Sequence, residues 1–514
     1  MSSNYSALDK LQEYCIGRAE SETIYLPDVF VPPDVYRDIL LAPPSSPYFL
    51  VGRKGTGKSA LLHFVRMKAM ESKLKVIYLK PDDIPLLEGI SHVSETSTIK
   101  RKAYEALVTV VAVEVGKDLR GLLGRKEKKL FDKAVNAQER EPDFIQLAAN
   151  YLSRIGSAVT DIDFSKLLDP LSDPNAAALK DALQTNFSRA PKAIYLLLDD
   201  VDQVASMVNR EQVNRIWGFI LAAQRLSEEF PNIRVVISLR TEVWGLMNRD
   251  SSGQYDQVDH IRNVVRKLDP SETQIRQIIE QRLRAVCASI PEIDCSEPVE
   301  CFFEQSKVML PTSVKEERLW LDFLAKNARG RPRDALQFVW CLAKFAKQKR
   351  KSKISQSIVD MAEREYSDQR MEDLVKEYAL DCGVLREICD SFSRLDFAFS
   401  SETMKDHLRT IPSRFGVEIR GHQLRPDSDD DIYLLWRLVY ETGFCNPRVT
   451  NLSRERDFEH ISYDSDPDFV SRANWNQMQT AEWEVHPAYR SYLLQKKERE
   501  SARTSRLSSL FRKK

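Results

Sequence analysis

The run Gly52-Arg53-Lys54-Gly55-Thr56-Gly57-Lys58-Ser59 constrains this chain more than any other segment, because it dictates the order strand, loop, helix. It fits G-x-x-x-x-G-K-[ST] at every defined position, in a chain with only 17 glycines among 514 residues. Tyr48–Val51 before it is a short apolar run, and Ser59–Met70 after it is apolar at helical spacing. Glycines let successive backbone N–H groups converge on phosphate oxygens, and the helix N-terminus adds its positive end. Gly52, Gly55, Thr56, Gly57, Lys58, Ser59 and Ala60 are therefore the expected phosphate cradle. Lys58 is expected to reach the β- and γ-phosphates and the Ser59 hydroxyl to ligate Mg²⁺. The ligand implied is a nucleoside triphosphate.

Further apolar runs follow at Lys75–Leu79, Ala193–Leu198 and Ile233–Leu239. None alternates, as expected for strands buried on both faces of a parallel sheet. A long amphipathic helix is predicted between the last two, at about 203–230, so strands and helices alternate as in an α/β fold. Residues 81–190 are helical in pattern and too long for one crossover, so an inserted helical element is expected there.

The run Ala193–Leu198 ends in Asp199-Asp200-Val201-Asp202. Carboxylates at that sheet edge, with a phosphate cradle upstream, predict Asp199 as a Mg²⁺ ligand, directly or through water. Asp200 takes the position from which a carboxylate polarises an attacking water, and Asp202 reads as a cap of the next helix. The run Ile233–Leu239 ends in Arg240, which would place a cation near the γ-phosphate. Gly330-Arg331-Pro332-Arg333-Asp334 lies between two helical patterns. Arg331 and Arg333 could reach the nucleotide, or simply pair with acidic surface residues.

After Leu268-Asp269-Pro270 the pattern turns helical to about residue 365. Residues 366–495 mix helices with short strands, with a predicted helix at Asp431–Glu441 and a strand at Trp483–Pro487 leading into a last helix. That order suits a winged-helix module, which commonly binds DNA or protein. From Lys496 to Lys514 eight basic residues face two acidic ones, a net of +6 in a chain of net charge zero. This reads as a basic flexible tail, either solvated or touching nucleic acid or an acidic partner.

The eight cysteines form no Cys-x-x-Cys pair and have no histidine at zinc spacing, so free thiols in a reducing cytoplasm are expected. No apolar window approaches ~18 residues, so no membrane span is predicted. The first twenty residues carry no secretory pattern.

Together, VGRKGTGKSALL, LLLDDVDQV, ISLRTEVW and the Gly-Arg-Pro-Arg-Asp turn resemble the signal-transducing ATPases of the AAA-related class. That class includes the STAND and KAP-like NTPases and the origin-recognition ATPases. More narrowly, the motifs resemble a bacterial P-loop ATPase family, and some ATPases of these groups act in anti-phage or other conflict systems. The resemblance implies an α/β P-loop NTPase of AAA-like (ASCE) type, its P-loop strand beside the Arg240 strand, with a helical lid and a C-terminal winged-helix-like domain. It implies Arg240 as sensor 1 and Arg331 or Arg333 as sensor 2. It also implies ATP with Mg²⁺, and a protein partner, homo-oligomer or DNA as what the chain acts with. The domains expected are 1–47 packing on the core, the core at 48–290, the lid at 291–365, the winged helix at 366–495 and the tail at 496–514. Arg262 and Arg266 are the candidates for an arginine acting on a neighbouring copy. Many AAA-type ATPases carry Asp-Glu where this chain has Asp199-Asp200, and the shorter pair implies slow or conditional hydrolysis. The rival readings are a DNA-binding initiator or loader and an ATP-binding scaffold without turnover.

Overall fold

The structure, a computed structural model, describes residues 3–41, 45–80, 96–116, 174–189, 193–201, 210–249, 261, 263–290, 297–310, 316–450 and 458–511. The chain divides into two compact units, one of residues 19–270 and one of residues 1–18 with 271–514. Of residues 1–47, expected to pack on the nucleotide-binding core, 1–18 fall in one unit and 19–47 in the other. Leu8, Leu11 and Cys15 of the helix Ser3–Tyr14 join the core that contains Ile275, Ile279 and Leu283, so this helix belongs with the later residues. The division at 270 coincides with a helix start. Ser271 caps Glu272–Ala288 through a capping box with Gln274, so that helix begins immediately after Pro270.

The unit 19–270 is an α/β layer structure with a five-stranded, all-parallel sheet. Its strands are β1 (Tyr48–Val51), β2 (Lys75–Leu79), β3 (Ile194–Leu198), β4 (Ile233–Leu239) and β5 (Val265–Lys267), in spatial order β2-β3-β4-β1-β5. This is an α/β P-loop NTPase fold, with the P-loop strand β1 beside β4. The unbroken apolar runs have a direct cause in the pleat. Phe49, Val51, Ile77, Leu79, Leu196, Leu198, Val235 and Ile237 face one core. That core also holds Leu107 and Val111 of the helix Thr96–Gly116, Leu183 of Pro174–Arg189, and Trp217 of Arg210–Glu229. Leu50, Tyr195, Leu197 and Val236 face the other core, with Leu61, Leu62 and Val65 of the helix Lys58–Glu71. The central strands alternate between two dry faces, so their runs are largely apolar, with Arg234 and Ser238 the polar residues within β4. The strand β5 has three residues, too short to give a periodic signal.

The other unit opens with helices Glu272–Ala288, Trp320–Asn327, Pro332–Gln348 and Gln356–Glu377, with a small hairpin of β6 (Lys307–Met309) and β7 (Glu317–Leu319). A second core follows. There the helix Leu385–Ser391 leads to β8 (Ala398–Ser400), the helix Ser401–Arg409, the short pair β9 (Glu418–Ile419) and β10 (His422–Gln423), and the helix Asp429–Glu441. Strands β11 (Cys445–Thr450), β12 (Phe458–His460) and β13 (Glu482–Val485) complete it. The antiparallel order β12-β11-β13-β8 places the first strand beside a later ribbon, as in a winged helix, with β12 as an added edge strand. Trp483 anchors this core. It is fully buried, donates its indole N–H to the Ser401 hydroxyl at 2.8 Å and packs edge-on against Trp436. The last helix, Pro487–Phe511, takes in most of the basic segment that begins at Lys496. Among the described residues no helix is long and apolar enough to cross a membrane. Six cysteines are buried free thiols, whereas Cys301, expected to be free, is disulfide-bonded.

The helix Gln356–Glu377 carries a buried carboxyl at Glu363, whose Oε2 has no hydrogen-bond partner among the described residues. Burial, with the nearby Asp360 charge, pushes its pKa up to about 8. The unfolded chain loses this proton near pH 4.3, so between there and pH 8 the folded state holds more protons and stability falls as pH rises. Glu363→Gln should therefore raise the Tm at pH 8.5 by several degrees relative to wild type, about 2–4 °C for each kcal/mol relieved. The gain should shrink towards pH 5. Thermal unfolding at both pH values measures it, and an equal gain at the two would contradict a buried, protonated Glu363.

Candidate functional site

Sheet register sets the site. Val51 lies opposite Leu239, and Leu198 lies opposite Ile237. One residue further along each strand, Gly52 comes level with Arg240 and Asp199 with Ser238. The acidic strand end and the Gly-rich loop therefore flank the end of β4 at the same edge of the sheet, where parallel α/β sheets place their ligand sites.

The loop is held by its own backbone. Gly52 N–H donates to the Leu239 carbonyl at 3.2 Å, and Leu268 N–H donates to the Val51 carbonyl at 2.7 Å. A Cβ at Gly52 would lie 2.7 Å from both the Leu268 carbonyl oxygen and Thr56 Oγ1, so only glycine fits between the loop and the segment after β5. Gly57 caps the helix with φ +101, a left-handed backbone, and a Cβ there would meet nothing within 4 Å. The space beside it is open. The first backbone bond of the helix is Leu61 N–H to Gly57 O at 2.9 Å, so the amides of Lys58, Ser59 and Ala60 come before its ladder begins. Lys58 is buried, and its Nζ donates to the Gly52 carbonyl at 2.7 Å and the Arg53 carbonyl at 3.1 Å. The ammonium thus sits over the loop it is expected to serve. Thr56 Oγ1 donates to the Arg53 carbonyl at 2.9 Å, tightening the turn. Backbone N–H groups and an ammonium around a glycine cradle fit the phosphates of a nucleotide, and the Ser59 hydroxyl is an oxygen of the kind Mg²⁺ takes.

Asp199 is wholly buried. Its Oδ1 accepts from the Ser238 hydroxyl and from Asp200 N–H at 3.0 Å, and its Oδ2 accepts from Tyr78 Oη–H at 2.6 Å. Its own N–H donates to the Leu79 carbonyl at 2.9 Å. Asp200 is half-buried, with its N–H also 2.9 Å from Ser238 Oγ, and its φ of 50 is left-handed. Short polar side chains tolerate that region best among non-glycines. Tyr78 comes from β2 and His63 from the P-loop helix, and their rings stack at 4.7 Å with 24° between planes. Burial holds His63 below its ordinary pKa, and its Nε2 is buried without a partner among the described residues. Burial, reinforced by Asp199, raises the Tyr78 phenol, so it remains a donor at neutral pH. At the end of β2, Lys80 pairs with Glu20 at 2.7 Å.

Sequence reasoning missed Ser238 and Tyr78. Ser238 was legible in principle as the one hydroxyl inside the apolar run of β4. Tyr78 gave no signal, since an aromatic residue is ordinary in a buried strand.

Arg240 directly follows β4, is half-buried, and its carbonyl accepts from Trp244 N–H at 3.0 Å. Arg266 is paired with Asp38 at 2.7 Å, with its guanidinium 4.7 Å from the Tyr48 ring. Arg262 and Asp202 lie outside the described residues. Arg331 and Arg333 belong to the other unit, and each has a partner inside it. Arg331 is buried and makes two bonds to Glu377, at 2.8 and 3.0 Å. Arg333 is half-buried and donates from Nε to the Gly17 carbonyl at 3.2 Å. Beside them, Arg329 and Arg370 both pair with Asp334. Burial alone would raise the Asp334 pKa, but Arg329, Arg370 and Arg331 outweigh it and hold the carboxyl below its ordinary range.

Residues 273–375 match a family described as the FunZ-associated C-terminal helical domain. No curated protein matches the chain. Among solved structures it is similar to a Cdc6 protein from Pyrobaculum aerophilum, at 12% identity over 93% of this chain and 98% of that one, with TM-score 0.35. It is similar to the ORC2 protein of Aeropyrum pernix in ADPNP–ADP complexes, at 11% identity over 94% of each chain, with TM-score 0.39. It is also similar to the Aeropyrum pernix ORC1 protein in complex with DNA, at 17% identity over 88% of this chain and 95% of that one, with TM-score 0.33. Likeness at this level carries no inference about ligand, partner or activity.

The loop geometry separates two glycine substitutions. Gly57→Ala meets no atom and should lose about 1–2 kcal/mol to its left-handed backbone. Gly52→Ala carries no left-handed penalty but must displace the Leu268 backbone and Thr56 Oγ1, each 2.7 Å from the added Cβ, so its Tm should fall further. Thermal unfolding of both variants decides this, and equal Tm values would contradict the close approach at Gly52.

Proposed function

We propose that this chain is an ATP-binding and ATP-hydrolysing molecular switch. The observation that carries the reading is the strand register, which sets Asp199 and Asp200 one strand from the P-loop with Ser238 and Arg240 between them. In this proposal the amides from Gly55 to Ala60 and the Lys58 ammonium hold the phosphates. Ser59 and Asp199 hold Mg²⁺, which when bound neutralises phosphate charge and polarises the bond to be broken. Asp200 orients and polarises the attacking water, and Arg240 stabilises the charge that develops. Adenine is favoured over guanine because the sequence has no Asn-Lys-x-Asp base-reading motif. A nucleotide-sensing role for Arg331 and Arg333 belongs to the same proposal, and it would require each to leave the partner described above. The motif resemblance supports a regulatory ATPase working with a partner effector, as in bacterial conflict systems.

A second reading, in which nucleotide controls a grip on DNA, is favoured by the strand order β12-β11-β13-β8 and by the net positive charge of residues 496–514. Binding of a DNA duplex should then weaken linearly with log salt, with a shallower slope after removal of residues 496–514. Absence of binding at low salt would end that reading.

Phosphate release tests the main proposal. Lys58→Ala should lower the rate by on the order of 10²-fold or more, because the transferring group loses its fixed cation. Equal rates in wild type and variant would overturn it.

A further inference from the structure

An ionised carboxylate accepts about four hydrogen bonds, two per oxygen. At Asp199 three of these places are filled from within the protein. Ser238 Oγ–H and Asp200 N–H occupy Oδ1, and Tyr78 Oη–H occupies one side of Oδ2. Among the described residues one accepting position remains, on Oδ2, and it shares its atom with the tyrosine hydroxyl. The tyrosine is itself fixed. Its ring stacks on His63 of the helix that begins at the P-loop, and the Arg66 guanidinium of the same helix lies 5.9 Å from its centroid. A chain of contacts therefore runs from the phosphate-binding helix through His63 and Tyr78 to the buried carboxylate.

We infer that Tyr78 is a positioning residue for the metal site, fixing Asp199 so that Oδ2 alone meets the Mg²⁺ or a water bound to it. This rests on the reading above that Asp199 holds Mg²⁺. A carboxylate pinned on both oxygens cannot turn to grip an ion with its two atoms, so Asp199 offers a single, oriented contact. Removing the phenol hydroxyl frees Oδ2 to rotate and leaves the aromatic stack in place. Partners that orient a metal-binding group typically change metal affinity by 10–100-fold when lost.

The test uses the full chain and needs no turnover. Calorimetry measures binding of a non-hydrolysable ATP analogue at a series of Mg²⁺ concentrations and in EDTA. For Tyr78→Phe the Mg²⁺ concentration giving half of the metal-dependent gain should rise about 10-fold or more, with affinity in EDTA unchanged. An unmoved Mg²⁺ midpoint overturns the inference. So does an equal loss in EDTA, which would mark Tyr78 as support for the loop alone. The double variant with Asp199→Asn separates coupling from general damage. Tyr78→Phe should add nothing to the Mg²⁺ midpoint once the carboxylate is gone, and full additivity overturns the inference. Should Tyr78→Phe fail to fold, Ser238→Ala frees Oδ1 in the same way and must raise the midpoint; an unmoved value overturns the orientation argument. If wild-type binding shows no dependence on Mg²⁺, the functional reading itself falls, and the role of Tyr78 with it.

Discussion

A carboxylate without exposed surface has to be surrounded by donors, and the geometry of this sheet follows from supplying them to Asp199. Its donors come from three consecutive places in the sheet: Tyr78 on β2, Asp200 N–H at the end of its own strand β3, and Ser238 on β4. That supply works only if β3 lies between β2 and β4 in the observed register, with Leu79 opposite Leu198 and Leu198 opposite Ile237. A slip of one residue would turn Tyr78 and Ser238 to the wrong faces. The polar contact thus reinforces the register that the two apolar faces already demand.

Much of this fold could be read from the sequence because its strands are dry on both sides. The runs that became β1, β2, β3 and β4 stand out as predominantly apolar segments, and the loop after β1 is marked by glycines in a glycine-poor chain. The strand β5 escaped because three residues, none of them buried, give no period. The division of the N-terminal segment escaped because the apolar positions Leu8, Leu11 and Cys15 say only that a helix has a buried face, not which surface covers it. Within the site the backbone cradle and its lysine were legible, since their spacing is local. Tyr78 and Ser238 were not, because their importance lies in which neighbour they reach across strands more than a hundred residues apart for Tyr78 and thirty-nine apart for Ser238.

The Gly-Arg-Pro-Arg-Asp turn shows how side-chain type underdetermines role. Arg331 precedes Pro332 at the start of its helix, as sequence suggested, yet its guanidinium is satisfied by Glu377. Around it Arg329, Arg370 and Asp334 form a buried ionic cluster that also reaches the Tyr489 hydroxyl. Charges so deeply buried contribute little net stability, but losing one member strands the others. Their effect is to specify how the helices Pro332–Gln348 and Gln356–Glu377 meet the last helix, where three apolar stripes alone would tolerate sliding.

The left-handed backbone at residue 200 bears on the departure from the Asp-Glu pair of many AAA-type ATPases, the class that the motifs resemble. With φ at 50, this position selects for a side chain short enough to satisfy itself locally, and aspartate meets that condition better than glutamate. The main chain thus favours a short polar side chain at this position. A longer carboxylate could not be exchanged in as a simple extension of reach, because the backbone bend that delivers Asp200 N–H to Asp199 and Ser238 would resist it. The left-handed main chain at Asp200, which a short polar side chain tolerates, is thus part of how its N–H reaches Asp199 and Ser238.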